Sequence, residues 1–81
     1  MRIYIGNISL SAIESDLRGI LSDFGPLLDF QYPVDRDTGK PRGFALAMLS
    51  SREFGEGAIL ILNGAQLGGR TLQVHEARNH N

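Results

Sequence analysis

The sequence predicts an α+β sandwich of βαββαβ order, a four-stranded antiparallel sheet with two helices packed on one face. Three observations carry this. Four short segments alternate apolar and polar residues with the two-residue period of a half-buried strand. Two longer segments repeat their apolar residues at helical spacing. The segments fall in an order that sets each helix between two strands, and right-handed crossovers then give the strand order 4-1-3-2.

The first strand is RIYIGNI, residues 2–8, where Ile3 and Ile5 alternate with Tyr4 and Gly6. The first helix follows. Ser11 and Glu14 have the spacing of a capping box, and Leu17, Ile20, Leu21 and Phe24 form its inward stripe. Gly25-Pro26 stops it, and Gly19 in its middle weakens it by ~1 kcal/mol relative to alanine. LLDFQYPV, residues 27–34, is the second strand, with Phe30 and Tyr32 on one face. Pro33 cannot donate to a ladder and assigns that strand to a sheet edge. DRDTGKP is a turn-rich loop, and RGFALAML, residues 42–49, is the third strand. Ser50 with Glu53 offers a second capping box, opening a helix through Asn63 with Ala58, Ile59 and Leu62 inward. A turn containing Gly69 leads into TLQVHEA, the fourth strand. This is the ferredoxin-like arrangement.

The totals bound what such a fold can do. Eighty-one residues make one domain, expected over residues 1–78 with 79–81 as a disordered tail. No apolar run approaches the ~18 residues of a membrane span, and no targeting segment is expected before the first strand. With no cysteine there is no disulfide and no thiolate metal site, and a cytoplasmic location is expected. A catalytic reading finds little support. Both histidines lie near one end, no carboxylate pair stands at a defensible spacing, and TGKP lacks the Ser/Thr and upstream glycine of a phosphate loop. No cofactor or metal is expected. The net charge of −1 argues against bulk attraction to a polyanion, although Arg36, Lys40 and Arg42 fall within seven residues.

If Ile3, Ile5, Ala45, Ala47 and Leu49 meet the helices, alternation turns Tyr4, Gly6, Phe44, Leu46 and Met48 to the bare face. Gln31, Pro33, Gln73 and His75 join them from the edge strands. A lone phenylalanine on a half-buried strand reads first as core. Paired with Tyr4 on the neighbouring central strand and flanked by Arg42, Phe44 reads instead as half of an exposed aromatic pair. Burying each ring would return ~1.5–3 kcal/mol, so an open pair implies a partner.

At this point the chain resembles the RNA-recognition motif family. RGFALAML is similar to the family's ribonucleoprotein octamer and IYIGNI, residues 3–8, to its hexamer. GNIS, DLRGILSDFG, DRDTGKPRGF and GGRTLQV also fall at family spacing. The layout also resembles that of the short stand-alone RNA-recognition proteins of bacteria. The resemblance implies single-stranded RNA as ligand, with Tyr4 and Phe44 as base-stacking positions and Arg42 on a phosphate. Leu46 stands where the family usually has a second octamer aromatic, and Met48 where a polar residue is common. Two stacked bases and a footprint of about two to four nucleotides are therefore expected. The loop from Asp35 to Pro41 is the expected clamp, with Arg36 and Lys40 meeting phosphates. Gln73 and His75 are placed to read base edges, and Arg78 to reach a phosphate after the last strand. Nothing in the sequence separates RNA from single-stranded DNA.

The rival reading is a protein-interaction module or weak homodimer. Phe54, Leu60 and Ile61 are apolar where the second helix would turn to solvent. The simpler account is a rotated helix in which Phe54 fills the space that Gly55 leaves.

Overall fold

In the computed structural model, which describes residues 1–77, the elements run β1 (Arg2–Gly6), α1 (Glu14–Ser22), β2 (Leu27–Gln31), β3 (Ala45–Leu49), α2 (Arg52–Leu62), β4 (Gln66–Leu67), β5 (Arg70–Thr71) and β6 (Gln73–Glu76). Four strands form one antiparallel sheet in the order β2-β3-β1-β6, the expected 4-1-3-2 with β6 as the fourth strand. Arg78 and the expected tail at 79–81 lie outside the described residues.

The register sorts the side chains. Ile3 pairs with Ala47 and Ile5 with Ala45 across β1 and β3, and Val74 pairs with Ile5 across β1 and β6. All five are buried. They meet Leu17 and Leu21 of α1 and Ala58 and Leu62 of α2, so the core lies between the helices and one sheet face. Tyr32 packs against this core. Its hydroxyl donates to the Ala12 carbonyl at 2.8 Å, and burial pushes its pKa above the ordinary phenol value. Among the described residues no helix is long and apolar enough to cross a membrane.

Several local expectations give way to a stronger local competitor. The capping box at Ser11 does not form. Ser11 shares a hydrogen bond with Ser9 (Oγ to Oγ, 2.9 Å), Glu14 accepts from Arg18 Nε at 2.8 Å, and Ile13 holds the N-cap without a side-chain bond. In α2 the cap is Ser51, not Ser50: its hydroxyl accepts from the Phe54 N–H at 3.2 Å. β3 begins at Ala45 rather than Arg42, because Gly43 has φ +90° and breaks the extended run. The short hairpin β4–β5, which lacks any alternating pattern, precedes β6.

Two glycines make room for neighbouring side chains. A Cβ on Gly55 would collide with the Met1 side chain, so Met1 and not Phe54 fills that space. The Phe54 ring instead lies against Gly25, whose φ of +148° no other residue adopts easily. Phe54 is thereby half-buried against the core, while Leu60 and Ile61 stay exposed at 80% and 62%.

Two glycine substitutions should therefore act with opposite sign. Gly25→Ala meets both the Phe54 ring and an unfavourable φ, and should destabilise the fold by about 2 kcal/mol. Gly19→Ala, with nothing within 4 Å of its Cβ in an exposed helical position, should stabilise it by up to about 1 kcal/mol. Urea unfolding midpoints of the two variants, measured against the parent chain, check both signs.

Candidate nucleic-acid interface

The sheet face away from the helices carries three aromatic rings in a row. Phe44 and Tyr4 have centroids 5.8 Å apart with planes 19° from parallel. Tyr4 and His75 are 4.8 Å apart at 21°. These are the separations of offset rings. The Tyr4–His75 contact follows from register, since the two residues lie opposite one another, and Phe44 stands one residue before Ala45, the partner of Ile5. Arg42 extends the row: its guanidinium carbon stands 5.7 Å from the centre of the Phe44 ring. Phe44 and Tyr4 are both partly exposed, with no element of the described chain covering them.

Backbone geometry sets these rings in place. A Cβ on Gly6 would come within 2.6 Å of the Tyr4 ring, so the absence of a side chain there is what lets the ring lie along the strand. Gly43 holds its positive φ while its carbonyl accepts from the Ile8 N–H at 2.9 Å, which joins the start of β3 to the end of β1 beside Phe44. His75 Nδ1 lies 3.1 Å from the Glu76 carbonyl, a contact that orients the imidazole against Tyr4.

The β2–β3 loop is tied down along its length. The Asp35 N–H donates to the Lys40 carbonyl and the Gly39 N–H to the Asp35 carbonyl, both at 2.7 Å. The Arg42 N–H donates to the Pro33 carbonyl at 3.0 Å, and Val34 bridges Pro41. Gly39 serves the turn through its φ of +73° rather than as a loose hinge. The Asp35 carboxylate accepts from the N–H groups of Asp37 and Thr38 at 2.8 and 3.2 Å. It is therefore occupied by the backbone, and Arg36 and Lys40 project from the loop exposed and outside every salt bridge of the described residues.

A family model described as RNA recognition motif matches residues 3–73, spanning both aromatic strands and the loop between β2 and β3. The chain belongs to the RNA recognition motif family.

Relatives with this motif match along most of their length. RbpE of Nostoc sp. strain PCC 7120 is 41% identical over 78 residues, covering 96% of this chain and 79% of that protein. RbpD of the same organism is 40% identical over 78 residues, covering 96% and 83%. The RNA recognition motif of Rna15, solved with bound RNA (GU), superposes with a TM-score of 0.89 at 29% identity, covering 96% of this chain and 83% of that one.

The structure brings Tyr4, Phe44, Arg42, Leu46 and His75 together on the motif's open face. Gln73 lies opposite Gly6, beside the Tyr4–His75 pair. Arg36 and Lys40 stand apart in the loop, and Arg78 lies outside the described residues. Two residues of this face were not singled out from the sequence. Asp29 pairs with Met48 and is exposed, following the same alternation that places Gln31 there. Leu28 does not follow it. A β-bulge between Leu27 and Asp29 turns Leu27 toward the core and leaves Leu28 66% exposed beside Asp29. The adjacent leucines give no period-2 signal that would have shown which of them faces out.

Gly6 supplies a direct test of how the platform is built. Gly6→Val should push the Tyr4 ring off the strand and separate it from His75. The expected result is loss of the Tyr4–His75 ring NOEs with backbone resonances of α1 and α2 unchanged; retention of those NOEs would mean that the ring does not depend on Gly6.

Proposed function

We propose that residues 1–78 act as one non-catalytic module that binds single-stranded RNA on the open sheet face. The observation that carries this reading is the Phe44–Tyr4 pair, two near-parallel rings, one on β1 and one immediately before β3, with no covering element. Membership of the family supports it, as does likeness to the Rna15 motif, which was solved with RNA on it. In this reading Tyr4 and Phe44 each stack one base and Leu46 adds apolar contact. Arg42, Lys40 and Arg36 meet phosphates, with Arg78 assigned to the same role from sequence alone. Gln73 and His75 contact base edges. The cytoplasm is the proposed compartment, and single-stranded DNA is a competing ligand, since no residue of the platform is assigned to a 2′-hydroxyl.

A second reading rests on Leu60 and Ile61, adjacent aliphatic residues of α2 that are 80% and 62% exposed. In that reading α2 docks a protein or a second copy of the chain. Phe54 contributes little to it, being half-buried against Gly25.

Titration of the labelled chain with short mixed-sequence RNA separates the two. Shifts at Tyr4 and Phe44 support RNA on the sheet, whereas shifts confined to Leu60 and Ile61 transfer the function to the helix. A parallel titration with DNA of equal sequence reports the preference between them. Phe44→Ala should weaken RNA binding by about 1–3 kcal/mol, roughly 5- to 150-fold, while leaving the unfolding midpoint nearly unchanged. Unfolding of that variant would instead make Phe44 a core residue. Two to four phosphate contacts correspond to a slope of log affinity against log salt between about −1.4 and −2.8, measurable by anisotropy across a salt series.

A further inference from the structure

We infer that the open face holds a guanine-selective subsite at Asp29 and Met48, one step beyond the aromatic row. This rests on the RNA-binding reading above and names a base preference within it.

The register lays out the site. Across the open face the row Gln31–Leu46–Tyr4–His75 is followed by the row Asp29–Met48–Arg2. Met48 is a partly exposed apolar floor, diagonal to Tyr4 across the β1–β3 ladder, and such diagonal neighbours stand about 7–8 Å apart. A strand whose one base lies on Tyr4 can therefore set its neighbour over Met48. The exposed Leu28, turned out by the bulge, borders this floor on the β2 side.

Asp29 decides which base suits the floor. Its carboxylate is exposed, and among the described residues it accepts no side-chain hydrogen bond and forms no salt bridge. Asp35, by contrast, is engaged by the loop N–H groups of Asp37 and Thr38. An ionised carboxylate only accepts, and its two oxygens match two parallel N–H donors. Guanine offers that pair on its Watson–Crick edge, at N1 and the exocyclic N2. Adenine and cytosine each offer one amino group beside an acceptor nitrogen. Uracil offers one N–H flanked by two carbonyls that the carboxylate repels. The preference should therefore run guanine first and uracil last. A negative charge on a surface that meets a polyanion otherwise weakens binding, so base selection gives it a role. Arg2, on the far side of Met48, already has a partner of its own, so Asp29 is the discriminating group.

The test uses the full chain and four labelled heptamers, uridine throughout except for a central guanine, inosine, adenine or uridine. Anisotropy should give guanine an advantage of about tenfold over uridine, the scale of one bidentate base contact, with inosine between them because it lacks the N2 amino group. In Asp29→Asn the guanine-to-uridine ratio should fall to about one, with the loss on the guanine arm. Equal binding of all four heptamers, with Tyr4 and Phe44 resonances shifting, would overturn the guanine subsite and leave RNA binding standing. A guanine preference that survives Asp29→Asn would overturn the role of Asp29. If no heptamer moves Tyr4 or Phe44, the RNA reading falls and the subsite with it.

Discussion

The molecule depends on the pairing register of β1 with β3. Side chains of a strand alternate between faces, so setting Ile3 against Ala47 and Ile5 against Ala45 fixes at the same stroke that Tyr4 meets Leu46 on the other side. A slip of one residue would send Ile3 and Ile5 to solvent and drive Tyr4 into the helices. The buried set, Ile3, Ile5, Ala45, Ala47 and Leu49, resists that slip because each is at most 3% exposed in the native register. Core packing thus pins the exposed rings even though they contribute little to the core themselves. Stability and the open face share one geometric origin, and the face can vary in sequence without moving its frame.

Within that frame, missing side chains act as positioning devices. Gly6 leaves room for Tyr4, Gly25 for Phe54 and Gly55 for Met1. In each case a large side chain from elsewhere lies where a Cβ would have been, so removing atoms at one position orders atoms at another. The cost is conformational freedom in the unfolded chain, about 0.5–1 kcal/mol for a glycine within a helix or strand. For Gly6 the return appears on the open face, since a Tyr4 ring lying along the strand stands near-parallel to both Phe44 and His75.

Much of this was legible in the sequence because period and order are long-range signals that many residues repeat. The four main strands, both helices, the 4-1-3-2 order and the outward set of Tyr4, Leu46 and Met48 all follow from alternation and spacing. What failed to show rests on single contacts. Ser50 and Ser51 are chemically equivalent caps, and the choice between them depends on where β3 ends against Met1 and Pro26. Ser11 is diverted from capping by Ser9 two residues away. The bulge at Leu28 needs the Leu49 and Met48 partners to be known first. The contact of His75 with Tyr4 joins residues 71 positions apart, so it is visible only once β6 is laid beside β1.

A net charge of −1 need not conflict with a polyanionic ligand, because the charges are sorted by face and by engagement. Glu14 pairs with Arg18 on α1, and Arg52 of α2 lies between Glu56 and Glu76. Asp35 is held by loop N–H groups, while Arg36, Lys40 and Arg42 on the same loop form no salt bridge among the described residues. These three cations are thus outside ion pairs, with Arg42 set against the Phe44 ring. With so few of them, counterion release would supply only a small share of the affinity in the proposed binding mode, which leaves most of it to dry contact with Tyr4, Phe44 and the aliphatic floor. Such contact is nearly blind to base identity, since every base has a flat face. Discrimination then falls to the few polar groups at the margin of the floor, and their number and engagement limit how selective a chain of this size can be.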